Sequence, residues 1–103
     1  MVTVVIVSHE IQSGRMEEAK ARIDSNGARM AEAEGFISRI IVVPRDGSNF
    51  LSTVTQWRGF ADYTNWQEEN RKSNVHAGTE SPYVGSPNTQ IYDCVSLRTK
   101  LGD

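Results

Sequence analysis

Six consecutive β-branched residues, Val2 to Val7, open the chain and constrain its fold more than any other feature. Their stiff side chains cost little on a pleated surface, so Val2–Glu10 is expected to be a strand. Alternation puts Val2, Val4, Ile6 and Ser8 on one face and Thr3, Val5, Val7 and His9 on the other. Both faces are mostly apolar, so each needs a cover, which places this strand inside a layered structure. The run is too short for a membrane span or a signal-peptide core, and no basic leader precedes it.

The cover for one face follows at once. From Met16, apolar or small residues recur at Ala19, Ile23, Gly27, Met30 and Ala31, a spacing of three and four that forms one helical stripe. Ser13 is the expected cap, Glu17 and Glu18 suit the first turns, and Gly35 is the expected stop. Gly27 sits inside the stripe, where close packing of helix on sheet is the plain explanation. Phe36–Val43 reads as a second strand, Pro44–Asn49 as a turn, and Phe50–Trp57 as a third strand. A second helix over 59–71 carries Phe60, Tyr63 and Trp66 at three-residue intervals. Residues 73–89, with Gly78, Pro82, Gly85 and Pro87, read as a long loop of the kind that carries function. Gln90–Leu97 is the expected last strand.

The order β-α-β-β-α-β in 103 residues gives one α+β domain of the ferredoxin-like kind, residues 1–103. Right-handed crossovers place both helices on one face of a four-stranded antiparallel sheet. The other face keeps an apolar surface that a symmetric homodimer would bury. Eleven Lys and Arg against thirteen Asp and Glu give a net charge of −2 with no basic block, which argues against nucleic acid as a partner. Cys94 is the single cysteine, so neither an intrachain disulfide nor a cysteine-based zinc site can form. A reducing compartment, the cytoplasm, is the expected location, with no membrane association.

Glu34-Gly35-Phe36 entering the second strand, Trp57 closing the third, and Gly59-Phe60-Ala61-Asp62-Tyr63-Thr64-Asn65-Trp66 together resemble the antibiotic biosynthesis monooxygenase (ABM) family, small dimeric α+β barrels. The resemblance spans most of the chain. It implies a pocket between sheet and helices in each protomer, and oxidation of an aromatic or quinol-like substrate by oxygen without metal or flavin. In such chemistry an electron-rich, deprotonated phenol itself reduces oxygen, and the protein supplies a dry cavity and orientation. A haem-degrading branch of the same superfamily carries a Trp and an iron-ligating His about ten residues apart, as Trp66 and His76 stand here. Arg71 or Lys72 would then meet a propionate. That branch also carries an Asn near the middle of strand 1, where this chain has Val5, Ile6 and Val7.

The candidate site is therefore Phe60, Tyr63 and Trp66 with loop residues around His76, and Tyr92 contributing a hydroxyl. For each aromatic the plain alternative is core packing, with the tyrosine hydroxyls bonded to backbone. His9, near the end of strand 1, is a candidate base for a phenol if it sits at a sheet edge or pocket mouth, whereas for His76 an ordinary surface or loop residue is the alternative. Asp93, among apolar neighbours, is exposed, paired with a strand residue such as Arg39, or functional, and pairing is the expectation. Cys94 is expected to pack as a small apolar residue. No catalytic triad, phosphate loop or metal-ligand cluster is visible. Three functions remain: a metal- and flavin-independent monooxygenase, a haem-degrading one, and a non-enzymatic dimeric domain that binds a small ligand.

Overall fold

The computed structural model describes residues 1–73 and 80–100. Its elements are β1 (Thr3–Glu10), α1 (Met16–Met30), β2 (Phe36–Val42), β3 (Phe50–Trp57), α2 (Phe60–Ser73) and β4 (Asn88–Asp93). The strands form one antiparallel sheet in the order β2-β3-β1-β4, with β1 and β3 central. This is the expected ferredoxin-like arrangement.

Register fixes the two faces. Thr3, Val5, Val7 and His9 of β1 share a face with Leu51, Thr53, Thr55 and Trp57 of β3, and this face lies under the helices. Two separate apolar clusters fill the space between them. Val5, Met30, Trp57 and Tyr63 form one; Ile11, Ala19, Ile23 and Leu51 form the other. Trp57 is wholly buried, and its indole N–H donates to Thr55 Oγ1 at 3.0 Å, which removes the cost of burying that donor.

The helix-free face carries Val4 and Ile6, flanked by Ile40, Val42, Phe50, Val54 and Tyr92 from the neighbouring strands. Ile40 is 57 % exposed and Tyr92 46 %. The apolar patch expected on this face is therefore present.

Four local expectations are corrected. Ser13 does not cap α1: Gly14 turns with φ 78°, Arg15 takes the N-cap position, and no side chain caps the helix. The carbonyl of Gln12 instead accepts from the Arg15 N–H at 3.0 Å, so the turn is complete before the helix begins. At its other end α1 stops at Met30 rather than near Gly35, because Glu32 and Ala33 bond three residues back, tightening the chain into a turn. Gly35 still ends that connection, at φ 83°.

The last strand is Asn88–Asp93 rather than Gln90–Leu97. Its ladder runs along β1 from Ser8 to Thr3 and closes with Cys94 N–H to Val2 carbonyl at 2.8 Å. Asp93 is exposed on one sheet edge while Arg39 lies on the other, so that pair does not form. Cys94 is half-buried, with Sγ 3.5 Å from the Ser96 carbonyl.

Candidate functional site

The two apolar clusters do not meet. Between them, roofed by α1 and α2 and floored by β1 and β3, lies a cavity of about 570 Å³. Its apolar walls are Val5, Val7, Ile23, Met30 and the rings of Tyr63 and Trp66. Inward-facing Thr53 and Thr55 supply hydroxyls to its floor.

A strap closes one end. Residues 80–84 are tied to the start of the chain by Gln12 N–H to the Pro82 carbonyl, Val84 N–H to the Glu10 carbonyl, both 2.8 Å, and Gln12 Nε2 to the Ser81 carbonyl at 2.9 Å. Arg15 and Arg22 add bonds to the carbonyls of Ser81 and Glu80. The strap places the Tyr83 ring on His9, centroids 4.6 Å apart and planes 29° from parallel.

His9 therefore faces the cavity from the end of β1 with Nδ1 buried and unpartnered. Burial, and secondarily the charge of Arg39, hold its pKa below the usual imidazole value, so it is neutral at neutral pH. Burial raises the Tyr63 and Tyr83 phenols, which stay protonated and can donate.

The charged residues of the lining are all cations. Arg22, Arg29, Arg39 and Arg71 border the cavity, and no Asp or Glu does among the described residues. Arg71 is held by Glu68 at 2.6 Å, and Arg29 lies over the Trp66 ring, 5.6 Å from its centroid, while bonded to Asn70 Oδ1.

Arg39 differs. It projects from β2 at the register position of Thr55, passes beneath α1 beside Gly27, and donates through Nη1 to the Ile23 carbonyl at 2.6 Å. Its Nε is buried and unpartnered, and among the described residues no carboxylate lies within ion-pair distance. Burial lowers its pKa, against smaller opposing effects of Asp24 and Tyr83.

Of the residues singled out from sequence, Tyr63, Trp66 and His9 share this cavity. Phe60 and Tyr92 do not. Steps of three residues slip about 60° around a helix, so Phe60 and Trp66 face directions roughly 120° apart; Phe60 is 53 % exposed and touches only the edge of the aromatic cluster, 6.4 Å from Tyr63 between centroids. Tyr92 pairs with Val4 and so lies on the helix-free face, opposite the cavity. His76 lies outside the described residues. Sequence reasoning missed Arg39 and Tyr83 as cavity residues. Arg39 had a signal: a cation inside an otherwise apolar strand, Ile37-Ser38-Arg39-Ile40-Ile41. Tyr83 had none, because the strap that presents it is held by scattered backbone bonds.

No helix among the described residues is long and apolar enough to cross a membrane, and no cluster of His, Cys, Asp or Glu among them could hold a metal ion.

Two helices layered over this sheet, with a cavity between, make the fold also seen in solved ABM-domain proteins. Solved structures of that class superpose on nearly the whole chain. A manganese-porphyrin complex of a variant of MhuD matches with TM-score 0.80 and 19 % identity over 94 % of this chain and 98 % of that one. MhuD from Mycobacterium tuberculosis is described as a haem degrader, with two haems bound in its active site. SnoaB from Streptomyces nogalater, a cofactor-independent oxygenase, matches with TM-score 0.71 and 12 % identity over 99 % of this chain and 98 % of that one. An ABM-type protein from Bordetella bronchiseptica matches with TM-score 0.78 and 12 % identity, covering 92 % and 98 %. At such identities the likeness is one of fold. No family model matches the sequence, and no curated protein matches it.

Proposed function

We propose that the protein is a small monooxygenase that oxidises an electron-rich phenolic or quinol-like aromatic with molecular oxygen, without metal or flavin, in the cavity between sheet and helices. The observation that carries this reading is the neutral, unpartnered imidazole of His9 inside a cavity walled by Trp66, Tyr63 and Tyr83. His9 takes the phenolic proton, and the phenolate gives one electron to oxygen. Radical and superoxide combine into a peroxide, and loss of water leaves a quinone. One oxygen atom stays in the product, the other leaves as water, and the substrate supplies every electron. Tyr63 and Trp66 hold the ring and help exclude water. The fold shared with SnoaB supports the reading.

Oxygen consumption with a panel of phenols, naphthols and quinols tests it. Uptake above buffer is expected with at least one of them, reduced about 100-fold or more by His9→Gln, the usual scale of a lost general base. No uptake with any of them leaves the binding-domain alternative standing.

One observation favours a second reading, haem degradation: Trp66 lies on the cavity wall, ten residues before His76. Haem, when bound, would supply the iron that activates oxygen. The described residues fit its periphery, with the Trp66 indole to press on the macrocycle and the Arg22 and Arg71 guanidiniums to meet propionates. Haemin titration distinguishes the two readings. A Soret shift at one equivalent, lost in His76→Ala, supports the haem reading.

The functional unit in either case is a homodimer joined through the helix-free face, where Ile40, Val42, Phe50 and Tyr92 stand exposed around Val54.

A further inference from the structure

The cavity has a sign. Its lining carries four arginines and no carboxylate among the described residues, in a chain whose net charge is −2. Such segregation favours anions, and the low-dielectric walls strengthen the preference. Three of the four cations already have partners that hold them: Arg71 is paired with Glu68, Arg22 reaches Glu18 at 3.7 Å, and Arg29 is bonded to Asn70.

Arg39 is the exception, and the fold takes trouble to put it there. Its hydrogen bond to the Ile23 carbonyl fixes Nη1 without neutralising the charge. A Cβ at position 27 would overlap that Nη1, so glycine leaves the guanidinium its place beneath α1 and an alanine would push it aside. Glycine in mid-helix costs about 1 kcal/mol against alanine, and the side chain that comes close to it here is that of Arg39. The buried Nε has no partner either, and the ring of His9, with its own unpartnered Nδ1, lies near enough to feel the Arg39 charge.

We propose that Arg39, threaded under Gly27, is the anchor for an ionised oxygen of the ligand, so that the cavity selects aromatic acids, carboxylates or ionised phenols, over neutral aromatics of the same shape. A planar guanidinium bonds a carboxylate or a phenolate oxygen through charge-assisted hydrogen bonds and tolerates burial better than an ammonium. The phenolate formed at His9 would gain the same stabilisation. The inference rests on the proposed use of this cavity, although it concerns binding and needs no turnover.

The test is equilibrium binding by calorimetry, under nitrogen, of three naphthalenes at one pH near neutrality. 2-Naphthoate carries a carboxylate, 2-naphthamide is its neutral counterpart, and 2-naphthol is a neutral phenol that repeated titration at alkaline pH converts to the phenolate. The unmodified protein is expected to bind naphthoate at least tenfold more tightly than naphthamide. Tighter naphthol binding at alkaline pH would show that a phenolate serves as well as a carboxylate; unchanged binding would restrict the anchor to carboxylates. Arg39→Met should abolish the naphthoate preference while naphthamide binding holds, Arg39→Lys should retain part of it, and Gly27→Ala should weaken it because the guanidinium is displaced. Circular dichroism checks that each variant is folded, and Arg39→Lys carries the comparison if Arg39→Met is not. Equal binding of naphthoate and naphthamide, no binding of naphthoate at millimolar concentration, or a preference that survives in Arg39→Met each overturns the proposal. Oxygen uptake is read separately, so a preference for anions without turnover leaves Arg39 as anchor and removes the oxygenase.

Discussion

His9 links the acid–base chemistry of the cavity to the stability of the fold. Its pKa is lowered in the folded chain, first by burial and then by Arg39. The neutral form therefore persists to lower pH than for a free imidazole, and the acid limb of kcat/KM is expected below the ordinary histidine range. His9→Gln should remove that limb along with most of the rate. The unfolded chain binds this proton more readily than the folded one. The His9 contribution to stability is thus complete above the unfolded histidine pKa and is lost as pH falls from there through the lowered folded value. Urea titrations between pH 7 and 5 should show the unmodified protein losing stability faster than His9→Gln; parallel loss would mean that the imidazole is not held neutral. Gly35 makes a second prediction. Its φ of 83° and the overlap of any Cβ with Asp62 mean that Gly35→Ala suffers both strain and a clash. A loss of about 1–3 kcal/mol in urea unfolding is expected.

Among the elements, the strap at residues 80–84 governs one end of the cavity, and Gln12 holds it through both its backbone N–H and its side chain. Gln12→Ala keeps the first and removes the second, at about 1 kcal/mol. Amide exchange at Tyr83 and Val84 should quicken with exchange in β3 unchanged; equal protection would show that the backbone bonds suffice. The elements also show what the sequence could tell. Six elements in the right order were legible because β-branched runs and a three-four stripe are local signals. Tyr92 was misplaced because Ile91 and Tyr92 are both apolar, and only the register with Val4 and Val5 says which faces inward. Ser13 looked like a cap by composition, yet the turn at Gly14 delays the helix by two residues. Trp66 and Tyr63 were legible as aromatics on one helix, whereas the sign of the cavity depended on four arginines from three elements, which no spacing reveals.

For the whole molecule, the helix-free face is the surface on which the proposed homodimer rests. The central strands are covered on one side only, and exposed Ile40, Val42 and Phe50 continue the apolar surface of Val4, Ile6 and Val54. The proposed homodimer predicts twice the monomer mass in sedimentation at micromolar concentration. Ile40→Lys should give a folded monomer, because a desolvated lysine at the centre of a symmetric contact meets its own copy. A monomer in the unmodified protein would sink this arrangement. Within each copy the two apolar clusters stay apart, with the cavity as the gap. A molecule seated there touches both, and by mass action it stabilises the folded chain in proportion to its affinity. The hollow centre thus makes the protein its own assay: a rise in Tm across a library of small molecules would report occupancy before any reaction is known.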